Sequence, residues 1–222
     1  MIQESEASVR TILLETFARL VAYGLLMILL IQLMTLDAGQ QDVEMKFMES
    51  TFTEWTQQLY LFIMAAIFAH CAYHYLQFRC LSILLAGMAT IGLVREFNNF
   101  FKANVFEGAW QMVVFTVAIT TSYFIWKNRQ GFWSAFDQFR QSFSFGLMVA
   151  GFLITFIFSR LYGRHEFWIT LMEDRYFRSV KNASEESIEL LGYGLMLIAS
   201  IEFFILVRSI SHTDSEQIDS LD

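Results

Sequence analysis

The chain has 222 residues, of which 55% are hydrophobic, 17% aromatic and only 17% charged, with a mean hydropathy of +0.44; a soluble domain has roughly 45–50% apolar and about 25% charged residues. Its net charge of −7 excludes a nucleic-acid partner, which needs a basic footprint, and gives no polybasic lipid-binding patch. The composition is that of an all-α polytopic membrane protein embedded in the lipid bilayer, with no soluble domain left over.

Proline is absent, where average usage near 5% would supply about eleven. Sharp proline kinks are therefore excluded, and discontinuous spans would have to rely on glycine. Cys71 and Cys80 stand in apolar surroundings without a CxxC or Cys/His spacing, so they are expected to be free thiols. The first residues, MIQESEASVR, are acidic and lead into an apolar run without a small-residue cleavage pattern, which reads as an uncleaved first helix.

Runs long enough to cross a bilayer recur along the chain. The first covers residues 11–36, with Glu15 and Arg19 one turn apart near its start. A polar, acidic loop follows, and a second span, residues 54–76, has Trp55 and Tyr60 near one end and Tyr73 and Tyr75 near the other, as an aromatic belt requires. A tight link at residues 77–79 turns the chain into a third span from Cys80 to Val94, expected to continue as one helix through the polar run Arg95, Glu96, Asn98, Asn99, Lys102. The fourth span is residues 108–126, with Glu107 at its entrance, and the fifth is residues 142–159, where Gly146 and Gly151 would permit close helix approach. Phe132, Phe136, Phe139 and Phe143 recur at helical spacing between those two spans, and residues 160–181 mix basic, acidic and aromatic side chains; both segments predict amphipathic interfacial helices. The sixth span, residues 181–208, is expected to be one continuous helix. The domain organisation is thus a six-helix membrane domain, residues 1–210, and an acidic, disordered tail, residues 211–222.

Six spans place both termini on one side. The fifteen Lys and Arg residues divide seven against eight between the two sides, so the positive-inside rule sets no orientation. The side away from the termini gathers Glu49 and Glu54 before the second span, Arg95, Glu96 and Asn99 after the third, Glu107 before the fourth, and Glu185, Glu186 and Glu189 at the start of the sixth. Acidic residues favour helix N-termini through the macrodipole, which accounts for Glu54, Glu107, Glu185 and Glu186. It does not account for Glu96, which ends a helix, or Glu189, more than a turn inside one. Those two are expected to face each other across a polar mouth that binds a cation or a proton.

Carboxylates without cysteine suit a hard divalent cation, Mg, Ca or Mn, with Glu96, Glu189 and Glu185 as ligands and Asn99 as a further oxygen. Arginine beside them could instead pair with the glutamates or clamp a lipid phosphate. Glu202 lies deep in the sixth span, where an unpaired charge costs about 2.5 to more than 10 kcal/mol, so it needs a partner. His70, at matching depth in the second span, is the expected one. His70 and His74 have the one-turn spacing of metal ligands but lack the HExxH glutamate, and no second histidine pair exists for haem. Phosphate-loop, dinucleotide and Ser/His/Asp signatures are missing as well, so neither haem nor nucleotide is expected and any catalysis would rest on carboxylates.

The run EESIELLGYGLM resembles the start of the last helix of small uncharacterised bacterial multi-spanning inner-membrane proteins, in which an EExxEL run opens the final span; REFNNFF and FTEWTQQLYLF echo the same proteins. The resemblance implies a bacterial inner-membrane location and no particular activity. The functional expectation is therefore transport or sensing through cation or proton binding at the mouth. An enzyme acting on a lipid head group with a carboxylate-bound metal, and a structural subunit that docks other membrane subunits or a second copy of itself, are the alternatives.

Overall fold

A computed structural model describes residues 2–39 and 51–219 of the chain, leaving Lys46 and Glu49 outside the described residues. Long apolar runs uninterrupted by proline leave nothing to stop a helix except glycine, polar caps and local strain, and the described residues are all helix and turn with no strand. The helices are α1 (Ile2–Ala38), α2 (Phe52–His74), α3 (Arg79–Glu96), α4 (Asn98–Asn104), α5 (Ala109–Lys127), α6 (Phe132–Arg140), α7 (Phe143–Leu153), α8 (Ser159–Tyr162), α9 (His165–Met172) and α10 (Arg178–Asp219). Among the described residues, five helical stretches are long and apolar enough to cross a membrane: Leu13–Ala38, Leu76–Glu96, Ala109–Lys127, Phe143–Tyr162 and Arg178–His212. α2 is not among them, since Glu54, Gln57, Gln58, His70 and His74 dilute its apolar residues.

α2 and α10 form the centre. Leu61, Met64, Phe68 and Cys71 of α2 and Leu190, Tyr193, Leu197, Phe203 and Val207 of α10 are buried in one core. Of the apolar stretch in α10, 61% is buried, against 6% in α1 and 6% in α5, so those two helices bury few of their residues fully. Around the centre, α3 packs on α2 and α5, α7 packs on α10, and α1 lies across α2 and α10. Asp37 ties α1 to α2: fully buried, it accepts from the backbone N–H groups of Phe52 (2.9 Å) and Thr53 (2.8 Å) and from the Thr53 hydroxyl (2.6 Å). Those N–H groups belong to the start of α2, where a helix lacks its own acceptors.

α7 and α10 cross where Gly151 meets Gly192. A Cβ on Gly151 would fall 2.7 Å from the Gly192 carbonyl oxygen, so only hydrogen at this position permits the backbone approach. Gly146, expected to share that role, has open space beside it. Between α7 and α8 the helix widens into one π turn, Ile154–Phe158, and then resumes.

Two expectations about element boundaries are corrected. The third span is not one helix with a charged end, because Phe97 interrupts it with φ −83° and ψ 9° and α4 starts afresh; the Asn98 and Asn99 side chains that follow compete with helical backbone bonding. Residues 160–181 are not one helix either. Arg160 belongs to α8, and α9 stops at Glu173, whose φ of 49° is strained for a residue with a Cβ. α10 begins at Arg178 and runs unbroken through the whole of the expected sixth span. Cys71 and Cys80 are free and buried, as expected.

Candidate functional site

At the end of the bundle where α3 finishes and α2 and α10 begin lies a polar cavity of about 560 Å³. α2 contributes Glu54 and Gln57, α3 contributes Arg95 and Glu96, and α4 contributes Asn98 and Asn99. Arg160 enters from α8, and Arg178, Asn182, Glu185, Glu186 and Glu189 from α10. Six of the seven mouth residues expected from the sequence, Arg95, Glu96, Asn99, Glu185, Glu186 and Glu189, thus line one cavity. Glu107 does not. It is exposed in the link between α4 and α5, next to left-handed Gly108 (φ 94°).

The carboxylates differ in their partners. Glu96 accepts from Arg95 Nη2 (2.8 Å) and from the hydroxyl of fully buried Tyr193 (2.8 Å). Glu189, 4% exposed, forms an ion pair with Arg160 (Nη2, 3.1 Å) and accepts from Ser159 Oγ (3.1 Å). The same Arg160 reaches Glu185 through Nη1 (3.4 Å), and Lys181 pairs with Glu185 from one turn earlier. Glu186 differs: its partner is the Gln57 amide, Nε2 to Oε2 at 2.9 Å, and no cation contacts it among the described residues.

The π turn shapes this region. It brings Thr155 and Ser159, both fully buried, against α10 at Glu189. Ser159 Oγ lies 2.6 Å from the Thr155 carbonyl and 3.1 Å from Glu189 Oε1, so one hydroxyl proton faces two acceptors. π turns inside α-helices are frequent at functional positions. Asn98 Oδ1, on the cavity wall, is buried without a partner among the described residues.

Five carboxylates (Glu54, Glu96, Glu185, Glu186, Glu189) and three guanidinium groups (Arg95, Arg160, Arg178) line the cavity, a formal excess of two negative charges; Lys181, paired with Glu185, reduces it to one. No group of three or more His, Cys, Asp or Glu side chains is arranged to hold a metal ion among the described residues. The three carboxylates expected as metal ligands, Glu96, Glu185 and Glu189, form ion pairs with Arg95, Arg160 and Lys181. Comparison of the chain with protein-family models, curated proteins and solved structures yields no match.

At the opposite end of the bundle the expected partnership of Glu202 is corrected. Glu202 accepts from the Tyr23 hydroxyl and from Arg19 Nη1 (3.4 Å), both on α1. His70 is exposed and makes ring contacts with His74 (4.3 Å) and Phe204 (5.7 Å) instead. Equal depth along the two spans says nothing about rotation: Glu202 is turned to α1, while His70 is exposed beside His74 and Phe204.

Sequence reasoning did not single out Gln57, Tyr193, Ser159 or Thr155. Tyr193 follows Glu185 and Glu189 at four-residue spacing, so the α10 stripe carried a signal. Gln57 follows Glu54 by three residues, again on one helix face. Thr155 and Ser159 carried none, because hydroxyls in apolar helices ordinarily bond to their own backbone.

Proposed function

We propose that the chain is a six-span protein of a bacterial inner membrane whose polar mouth exchanges a proton or a small cation, in transport or sensing, with Glu186 as the exchanging carboxylate. The span that joins the five apolar stretches is α2, the second in chain order. Its 23 residues rise about 35 Å, enough for a hydrocarbon core of about 30 Å, and its polar Glu54 and Gln57 open into the mouth. α6 and α9 lie at the two interfaces in this reading.

The observation that supports it is the inequality among the carboxylates. Glutamates one turn apart repel one another unless a cation, an arginine or a proton intervenes. Arg95 serves Glu96 and Arg160 serves Glu185 and Glu189, whereas Glu186 has only a neutral amide. In a cavity with a carboxylate excess, Glu186 is therefore where an added proton or cation brings the largest relief.

Infrared difference spectra of the purified protein in lipid, recorded as pH is stepped, test the proposal. A carboxylic acid band that titrates in the parent protein and is missing in Glu186→Gln is expected. Superimposable spectra from the two would overturn the assignment.

A further inference from the structure

A second cavity, of about 440 Å³, runs beneath the polar mouth and is almost wholly apolar. Its floor is Leu61, Met64 and Phe68 of α2 with Met196 of α10, and its walls are α3 and α7. Because α3 packs on α2 and α5 while α7 packs on α10, the space between α3 and α7 is left to this cavity. Phe136 and Phe139 of α6 close the far end.

Two features distinguish it from a packing defect. First, it opens sideways: Met88 on one wall and Val149 and Phe152 on the other line it while being 47%, 38% and 38% exposed, so the opening faces the apolar perimeter of the bundle. Second, its one charged lining residue among the described residues is Arg95, which also lines the polar mouth. The two cavities therefore meet at a guanidinium. Arg95 lies over the Phe156 ring (5.2 Å to the centroid), and its hydrogen bonds to Glu96 and Tyr193 both use Nη2. Nε and Nη1 make none among the described residues, which leaves donors for a further anion.

We propose that this crevice binds one acyl chain of a phospholipid, with the lipid phosphate at Arg95 and an amine-bearing head group in the mouth. The dimensions agree. From Leu81 to Arg95, the lining residues of α3 span about 21 Å along the helix, more than the roughly 15 Å that is half of a hydrocarbon core. The volume falls in the range of small-molecule sites, about 300–1,000 Å³. Charge complementarity favours a zwitterionic head group, because a phosphate meets the free donors of Arg95 while an ammonium meets the carboxylate excess around Glu186. The proposal stands on the apolar cavity and Arg95, so it does not depend on proton exchange at Glu186.

Native mass spectrometry of the full chain in detergent, titrated separately with palmitoyl lysophosphatidylethanolamine and monopalmitoylglycerol, tests it. The lysophospholipid should saturate at one adduct per chain and bind about ten-fold more tightly than the uncharged lipid, the scale of one charge-assisted contact. Ala89→Phe, which fills the crevice from α3, should weaken both lipids by about ten-fold. Val149→Phe fills it from the opposite wall with the same expectation, should Ala89→Phe not fold. Arg95→Gln should bring the two lipids within about two-fold of each other. Adducts accumulating past one without saturation, folded filling variants that bind like the parent, or a phosphate preference that survives Arg95→Gln would each show annular lipid only and overturn the site.

Discussion

The hydroxyl of Tyr193, buried in the middle of α10, donates to Glu96 Oε1 at 2.8 Å, fastening the end of α3 to the central helix. Arg95 completes the contact by donating to the same oxygen at 2.8 Å. Tyr193→Phe removes one donor from a half-buried carboxylate, with an expected loss of about 1–3 kcal/mol. Thermal unfolding in a fixed detergent reads it as a lowered midpoint, and an unchanged midpoint would mean that Arg95 alone holds Glu96.

Arg160 bridges Glu185 and Glu189 while itself half exposed. Arg160→Met leaves both carboxylates without it, and the expected loss is about 1–3 kcal/mol, reduced from a fully buried pair by solvent screening at the arginine. Adding Glu189→Gln should recover most of that loss, since it removes the uncompensated charge. A double variant no more stable than Arg160→Met would place the contribution of Arg160 elsewhere.

Glu202 is coupled to α1 through Arg19 and Tyr23, not to α2 through His70. A double-mutant cycle of Tyr23→Phe and Glu202→Gln should give an interaction energy of about 0.5–3 kcal/mol. The corresponding cycle with His70→Ala should give less than about 0.5 kcal/mol. Coupling to His70 equal to that with Tyr23 would restore the pairing suggested by depth alone.

Gly192→Ala would set a Cβ against Thr155 Oγ1 and 2.9 Å from the Gly151 carbonyl oxygen. Separating α7 from α10 there should cost about 1–3 kcal/mol and disturb the Ser159–Glu189 contact next to it. Gly146→Ala meets nothing and should be neutral or stabilising by up to about 1 kcal/mol, since alanine is the better helix former. Equal midpoints for the two variants would remove the Gly151–Gly192 crossing as a constraint.

If α2 crosses the membrane with the other five, reporters fused at Met1 and at Asp222 report the same side. Opposite sides would reduce the count to the five apolar helices.

The helical class, the long spans and the gathering of Glu96, Glu185, Glu186 and Glu189 at one end were legible in the sequence, because run length and alternation of direction place a residue along the bundle axis. Where side chains point around that axis was not, since rotation is decided by packing against helices far away in the chain. Hence Glu202 turned to Tyr23 and Arg19 rather than His70, and Glu107 is exposed outside the mouth. The partner of each carboxylate was equally invisible. Arg160 lies twenty-five residues before Glu185, and only the π turn in the fifth span and the Gly151–Gly192 crossing bring α8 close enough to α10 for one guanidinium to reach two glutamates. Charge and depth are properties of single residues and are written in the sequence; pairing depends on two helices meeting at one angle and register, which the packed bundle alone decides.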